Sequence, residues 1–187
     1  MRNLLLITLC FISSIFNGNA ENINVQKLEG EIRAGITLPL DNYRDGSSQV
    51  SGDIGIEGRY NFQNSPFDCG LMLELSTARR GFNHLFADNF DRWQNNRTIA
   101  LAILGDYNFR QGKKINPFVG AALGVASNDV VGDKYYPTNG TSILLAPRVG
   151  IELLHHIRLM AQFNVCRKGY NNLSLTFALV IGGKPKQ

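Results

Sequence analysis

Residues 51–62, SGDIGIEGRYNF, alternate between apolar and polar residues without interruption. One parity carries Ile54, Ile56, Gly58, Tyr60 and Phe62, and the other carries Asp53, Gly55, Glu57, Arg59 and Asn61. A helix would mix these two sets on its surface, whereas a β-strand places them on opposite faces. The stretch therefore predicts a strand with one apolar face and one polar face.

Seven further stretches repeat this alternation. They span 28–38, 67–76, 98–109, 119–125, 143–153, 157–165 and 173–181. Each is about ten residues long, the length at which a tilted strand crosses a bilayer. The weakest is 119–125, where glycine and alanine fill the second face. Pro147 interrupts the sixth run, because proline lacks the N–H that a ladder needs; it predicts a bulge, or pairing only from Arg148 onward.

The connections between these stretches alternate in length. Short turns are expected at 63–66, 111–116 and 155–156, and long polar loops at 41–50, 80–96 and 128–141; the last connection, 167–172, is short. Short turns at one rim and long loops at the other are typical of outer-membrane barrels. We therefore predict an all-β fold: an eight-stranded antiparallel up-and-down transmembrane β-barrel with short periplasmic turns and longer extracellular loops.

Alternation alone does not tell which face meets lipid. The aromatic residues of the apolar face gather at the short-turn rim, at Tyr60, Phe62, Phe67, Tyr107 and Phe109. A protein core has no reason to sort aromatic rings to one level, but a membrane interface does. This distribution favours an apolar face in lipid. The alternative is a soluble periplasmic barrel, such as a lipocalin, that binds a hydrophobic ligand.

The first twenty residues have the layout of a secretory signal peptide. Arg2 is their positive residue, 4–16 form an apolar run, and Gly18 and Ala20 suit a cleavage site. We expect cleavage after residue 20 and a single barrel domain over 21–187, in the outer membrane of a Gram-negative bacterium. The net charge of +4 falls to +3 without Arg2, and no basic patch indicates nucleic-acid binding.

The polar face of this barrel would fill its lumen. It carries eight acids and four bases: Glu29, Glu31, Asp53, Glu57, Asp68, Glu74, Asp106 and Glu152, with Arg33, Arg59, Arg148 and Arg158. Because buried charges are costly unless paired, each arginine should contact carboxylates. The surplus acids should lie near the mouths, recruit water or be partly protonated. We interpret the network as structural, and an eight-stranded interior filled by side chains disfavours a passive pore.

Three stretches carry a family resemblance: NPFVGAALGVA at 116–126, APRVGIELLHHIRLMAQFN at 146–164 and LSLTFALVIGGK at 173–184. They resemble the outer-membrane protein β-barrel domain family, whose familiar small members are the OmpA membrane domain and OmpX. The resemblance implies the fold, insertion by the barrel-assembly machinery, and contact with outer-membrane lipid. Many such barrels end on an aromatic residue that this machinery reads. This chain ends at 182–187 without one, and Phe177 is the internal aromatic residue that would replace it.

No residue pattern indicates catalysis, a metal or a cofactor. His155 and His156 are adjacent in a turn, where their side chains diverge, and His84 lies far away in a long loop. Cys69 and Cys166 are expected on opposite faces and at opposite depths of the barrel. We therefore predict that they form no disulfide, although the periplasm is oxidising.

Two further features are candidates for contacts outside the membrane. Arg79, Arg97 and Arg167 share the lipid-facing parity at the long-loop rim; they either contact lipopolysaccharide phosphates or are ordinary solvated charges. Residues 81–96 place apolar side chains at roughly helical spacing, at Phe82, Leu85, Phe86, Phe90 and Trp93. That stripe would bind an extracellular partner, lie on the membrane or pack on the barrel mouth.

Overall fold

The computed structural model describes residues 25–41, 46–82, 92–132 and 139–182. They form nine strands: β1 (Leu28–Pro39), β2 (Gly46–Gln49), β3 (Ser51–Asn61), β4 (Phe67–Phe82), β5 (Arg92–Asn108), β6 (Ile115–Gly132), β7 (Gly140–Leu153), β8 (Ile157–Asn164) and β9 (Asn172–Ile181). Within these residues, no helix has the length and apolar character that a membrane crossing requires.

Antiparallel pairing closes these strands into a barrel. From β3 onward, each strand pairs with the next along the chain, and β1 pairs with both β3 and β9. The short β2 pairs with β4 and continues the line of β3, so the two occupy one barrel position. The result is the predicted eight-stranded up-and-down barrel, and the fold class is confirmed.

A β-bulge separates β2 from β3. Gln49 pairs with Arg79 and Asp53 with Ser76, so three residues of one strand face two of β4. The Thr77 hydroxyl fills the gap, within hydrogen-bond distance of the Gly52 N–H (3.0 Å) and C=O (2.9 Å). A threonine on β4 thus satisfies backbone groups that the bulge removes from the ladder.

The barrel is apolar outside and polar inside. Along β1, Leu28, Ile32 and Ile36 are exposed, whereas Glu31 and Arg33 are buried. The other strands repeat this pattern, with the predicted face of each residue. Such a surface is stable only against lipid, because water would meet a continuous apolar belt.

The predicted aromatic residues end this belt at the short-turn rim. Tyr107 contacts both Phe67 and Phe109 edge to face, with ring centroids 5.2 and 5.0 Å apart, and Tyr60 packs on Phe62 at 5.5 Å. The Phe67–Tyr107 pair bridges β4 and β5, and the other two pairs each join residues two positions apart along the chain. All of them lie at the level where amphipathic rings meet lipid headgroups.

The long loops predicted at the other rim are shorter than expected. Strand β4 continues to Phe82 and β5 starts at Arg92, so only 83–91, outside the described residues, are left between them. Similarly, β6 runs to Gly132, β7 begins at Gly140, and β2 occupies part of 41–50. The extensions are mostly polar on both faces, with Gln94, Asn96 and Asn128 buried, and therefore have little of the apolar–polar contrast that predicts a strand.

Pro147 causes no bulge towards β6. The ladder between β6 and β7 is continuous from Gly140 to Leu153 and pairs Pro147 with Ala121. Towards β8, in contrast, the ladder starts at Arg148, and only a bridge between Leu145 and Val165 continues it. Of the two predicted outcomes, pairing from Arg148 onward is correct, and only on the β8 side, where the missing N–H points.

Candidate functional site

The lumen contains a continuous chain of alternating acids and bases. Its members, in order of contact, are Glu74, Arg33, Glu57, Arg148, Asp106, Arg158, Glu31, Arg59 and Glu29. The chain begins beside the outer half of β4 and ends at the short-turn rim, at the start of β1. It crosses the barrel repeatedly and ties together strands that are not neighbours in the sheet.

Arg148 lies at the centre of this chain. Its Nε and Nη2 donate to the two carboxylate oxygens of Asp106 at 2.8 and 2.7 Å, and its Nη1 donates to Glu57 at 2.7 Å. Arg33 donates to the same Glu57 oxygen and to Glu74. All of these side chains are fully buried, so the bidentate geometry replaces the hydration that each charge lost.

The second half of the chain is built around Arg158. Its guanidinium lies 3.1 Å from Asp106 and 3.3 Å from Glu31, and 3.7 Å above the ring of Phe118. Arg59 approaches Glu31 to 3.1 Å. Glu152 and Glu29 complete the surroundings, at 3.7 Å from Arg158 and 3.1 Å from Arg59.

Inward-facing glycines make room for these large side chains. A Cβ on Gly55 would lie 2.8 Å from Arg33 Nε, and one on Gly150 would lie 2.5 Å from the Phe118 ring. The polar parity of each strand therefore mixes charged residues with glycines. That mixture gives the interior of an eight-stranded barrel room for four arginines.

The carboxylates outside this acid–base chain differ in how well their charge is compensated. Asp53 is fully buried, its nearest base is Arg33 Nε at 3.9 Å, and neither of its oxygens accepts a hydrogen bond from the described residues. Asp68 accepts a hydrogen bond from Asn108 at 2.8 Å. The sequence-predicted lumen residues thus all lie inside, but the acids exceed the bases that reach them.

Amide side chains continue the network towards the long-loop rim. Gln162 and Asn164 donate to Glu74 at 2.6 and 2.5 Å, and Asn164 also donates to Asn172 at 3.1 Å. Opposite them, β5, β6 and β7 present a small apolar cluster that includes Ala102, Ala126 and Leu144. The lumen is therefore charged in one part and lined by alanines in another.

The connection between β8 and β9 closes the outer mouth. Tyr170 is completely buried there, and Asn96 on β5 donates to the Gly169 carbonyl at 2.5 Å. The Asp41 carboxylate accepts from the Asn171 N–H at 3.2 Å, from the Asn171 amide at 3.0 Å, and from the Gly169 N–H. A single carboxylate at the end of β1 thus fixes the segment that carries Tyr170.

At the long-loop rim, β4, β5 and β6 rise above the apolar belt. We call residues 76–82, 92–98 and 126–132 the outer wall; its seven residues per strand extend roughly 23 Å along the strands. Its outward parity is largely polar, although Val131 is an exposed apolar residue there. Arg97 pairs directly across the ladder with Asp129, and their side chains lie 2.6 Å apart.

The structure brings together two of the three arginines predicted at this rim. Arg79 and Arg97 lie on neighbouring strands of the outer wall, two positions apart in register, and both are exposed. Arg167 is elsewhere: it follows β8, on the far side of β6 and β7, and donates to the Asn139 carbonyl at 3.2 Å. The three therefore do not form one cluster.

Comparisons with known proteins reveal likeness in structure. No family model and no curated protein matches the sequence. The structure of Neisserial surface protein A, from Neisseria, matches over 84% of this chain and 98% of its own, with 12% identity and a TM-score of 0.53. Outer membrane protein OprG from Pseudomonas aeruginosa covers 86% of this chain and 96% of its own, at 10% identity and a TM-score of 0.47. This chain has the fold of the small outer-membrane β-barrels.

The contacts of several lumen residues have little signal in the sequence. Phe118 and Asn172 each lie one residue before a predicted strand, 119–125 and 173–181. Gln162 and Asn164 have the polar parity of the predicted strand 157–165, but an uncharged amide does not indicate an ion-pair partner. Tyr170 lies in a connection, where strand parity gives no direction. Its burial has no signal in the sequence.

The predicted stripe at 81–96 is only partly described. The backbones of Phe82 and Trp93 lie in β4 and β5, so the ends of this segment are strands rather than helix. Leu85, Phe86 and Phe90 lie outside the described residues, as does His84.

The two cysteines described by the structure are not joined. Cys69 is exposed on the outer face, and Cys166 is half-buried beside the alanine-lined part of the lumen. Burial raises the pKa of the Cys166 thiol to about 11. Within the described ranges, no group of three or more histidine, cysteine, aspartate or glutamate side chains is arranged to hold a metal ion.

Proposed function

We propose that this protein is a non-enzymatic integral outer-membrane barrel whose outer wall and loops make contacts at the cell surface. The observation that carries this proposal is the apolar belt around a closed barrel: Ile32, Ile54, Ile103 and Ile143 are each more than half exposed, on four different strands. In lipid this belt is solvated, whereas in water it would aggregate.

The lumen argues against the two alternative functions. A soluble barrel that binds a hydrophobic ligand needs an apolar cavity, whereas the centre of this lumen holds Arg33, Arg148 and Arg158 with their carboxylates. A passive pore needs a continuous aqueous path, and the same side chains occupy that path.

Cell fractionation combined with heat-modifiable electrophoresis tests the placement. We expect the protein in the outer-membrane fraction, with a folded form that migrates differently from the boiled form. Recovery in the soluble periplasmic fraction, with no shift on boiling, would contradict the proposal. The same preparation reports whether the first twenty residues have been removed, through the mass of the mature chain.

For the surface contact, the outer wall supports lipopolysaccharide as one partner. Arg79 and Arg97 lie just above Leu75 and Ile99, the residues with which the apolar belt ends on the outward faces of β4 and β5 next to them. Outer-leaflet phosphates are at this level, and guanidinium groups bind phosphate in a bidentate manner.

Replacement of Arg79, Arg97 and Arg167 by Gln tests this contact. We expect lipopolysaccharide binding by the purified protein in micelles to weaken about tenfold, as a loss of about 1.4 kcal/mol of ionic contact would produce. Lys168→Gln, at an exposed base next to Arg167, is the matched control and should bind as the wild type does. Unchanged binding by the triple variant would remove lipopolysaccharide from the proposal.

Residues 81–96 are the second proposed contact. The apolar side chains predicted there would meet an extracellular protein partner above the outer wall. Replacing 84–90 with Gly-Ser repeats leaves the paired ends of β4 and β5 intact. If the segment binds a partner, this change should abolish binding of the protein to host or neighbouring cell surfaces without altering heat-modifiable migration.

A further inference from the structure

The short-turn end of the barrel is covered by its own chain. In the connection between β5 and β6, the Gln111 amide reaches across to Asn61 on β3, where Nε2 donates to Oδ1 at 3.2 Å. Asn61 also holds the segment before β1, because its N–H donates to the Lys27 carbonyl at 2.8 Å. Val25, at the start of that segment, is buried, and its carbonyl accepts from Gln63 at 3.1 Å.

The exposed charged side chains of this cover are all basic. Lys27, Arg110, Lys113 and Lys114 are all exposed, and we call these four residues the basic cap. The acids at the same end, Glu29, Asp68 and Glu152, point into the lumen instead. Among the described residues, the outer surface of this rim therefore carries bases and no exposed carboxylate.

The basic cap adjoins the apolar belt directly. Phe109 of the aromatic belt precedes Arg110, and Ile115, half exposed, follows Lys114. The Lys114 carbonyl accepts from the N–H of exposed Leu154 at 2.7 Å. The charged groups thus emerge at the depth of lipid headgroups, with apolar side chains on the lipid side, as in snorkelling residues.

A shallow apolar groove lies beside the cap on the outer surface. It begins next to Lys27, at Leu28, and is bordered by Tyr60, Cys69 and Leu71. The groove exists because Gly58 faces outward without a side chain; a Cβ there would meet no atom within 4 Å. A phospholipid would bring both complementary parts, a phosphate for the cap and an acyl chain for the groove.

We propose that the basic cap binds anionic phospholipids of the adjacent leaflet through their phosphates, with an acyl chain in the groove over Gly58. Basic residues near a membrane surface attract anionic headgroups, and four of them on one rim give a preference over zwitterionic lipid. The inference rests on the proposed membrane placement. Its test in micelles can nevertheless fail while fractionation still places the protein in the outer membrane.

The experiment measures lipid binding to the purified protein in micelles by native mass spectrometry, with dioleoyl phosphatidylglycerol and dioleoyl phosphatidylcholine as probes. We expect the wild type to prefer phosphatidylglycerol by roughly tenfold. Neutralising the four cap residues with Gln should reduce this preference to less than about twofold. Exchanging each for the other base, as in Lys27→Arg and Arg110→Lys, should retain it.

Two further arms separate the parts of the site. Gly58→Leu fills the groove and should lower the retention of both lipids while keeping the preference between them. Inorganic phosphate distinguishes a lipid from a free anion, because competition at millimolar concentration would mean a phosphate site and overturn the lipid assignment. An unchanged preference in the Gln variant, when heat-modifiable migration shows it to be folded, would overturn the proposal itself.

Discussion

Glu57, Asp106 and Glu31 each lie between two arginines in the lumen. This sharing lets four bases stabilise a larger number of acids, because each guanidinium offers five N–H donors in a planar fork. It also makes the charges interdependent. Removal of one arginine leaves at least two carboxylates with less compensation in an interior from which water is excluded.

Replacement of Arg33 by Met should therefore destabilise the barrel strongly. Glu74 and Asp53 would lose their nearby positive charge, Glu57 would keep only Arg148, and the breaking of a buried ion pair costs about 3–5 kcal/mol. Because Asp53 accepts no hydrogen bond in the described structure, neutralising it loses little. We expect Asp53→Asn to restore about 1–2 kcal/mol in the Arg33→Met background.

Urea unfolding in micelles measures both effects. Asp53→Asn alone serves as the control, with a change within about 1 kcal/mol of wild type. A double variant no more stable than Arg33→Met would mean that Asp53 is not a charge that Arg33 compensates.

Cys166 lies in the connection 165–171 between β8 and β9, which we call the capping segment, and its burial there controls the reactivity of its thiol. Since its thiol pKa is about 11, only a small thiolate fraction exists at neutral pH. In a variant with Cys10→Ala and Cys69→Ala, Cys166 is the remaining cysteine, and we expect its alkylation by iodoacetamide to accelerate about tenfold per pH unit between pH 8 and 10. A rate that levels off near pH 8.5 would indicate an exposed thiol and an open capping segment.

At the level of elements, the hairpin between β7 and β8 contains an unfavourable turn. Leu154 and His155 both have positive φ, 54° and 65°, and the His156 N–H donates to the Leu153 carbonyl at 3.1 Å. Two central residues at positive φ are characteristic of a type I′ turn, for which Asn-Gly is the preferred sequence. A leucine in this conformation costs about 1–2 kcal/mol.

The double substitution Leu154→Asn with His155→Gly should stabilise the hairpin by about 1–2 kcal/mol. The free energy of unfolding in urea would show it as a higher midpoint with an unchanged slope. The reverse exchange, Asn64→Leu, is a matched control, since Asn64 also has positive φ (55°) and should lose stability on replacement. No gain from Asn-Gly would mean that exposed Leu154 contributes more through its contact with lipid than its backbone costs.

The sequence predicts those elements in which the two faces differ chemically. On β1, β3 and β9, apolar and polar residues alternate, so strand and face followed from the pattern alone. The extensions of β4, β5 and β6 could not be predicted in this way, because Arg97, Asn95 and Thr77 on the outside are as polar as Asn96 and Gln94 on the inside. The capping role of Tyr170 depends on how its connection folds over the mouth, which no local periodicity encodes.

For the whole molecule, the consequence is a lumen closed at three levels. At the outer mouth, Tyr170 lies in the segment that Asp41 holds through hydrogen bonds. The acid–base chain occupies the centre, and Val25 and Gln111 cover the short-turn end. The central chain is hydrogen-bonded to both ends, through Asn164 and Asn172 to the Tyr170 carbonyl and from Glu29 to Asn61. Different connections build the two ends, however, so we expect loss of the Tyr170 side chain to leave the centre of the lumen occupied.

Planar-bilayer recordings test this arrangement. We expect the wild type to show no stepwise conductance, and Tyr170→Gly to behave in the same way, because Arg33, Arg148 and their carboxylates still occupy the lumen below the vacated position. Unitary steps in Tyr170→Gly alone would identify the capping segment as a gate above a hydrated path. Steps in the wild type would favour the passive-pore function. Either result would contradict the interpretation that the acid–base chain is structural and fills the lumen.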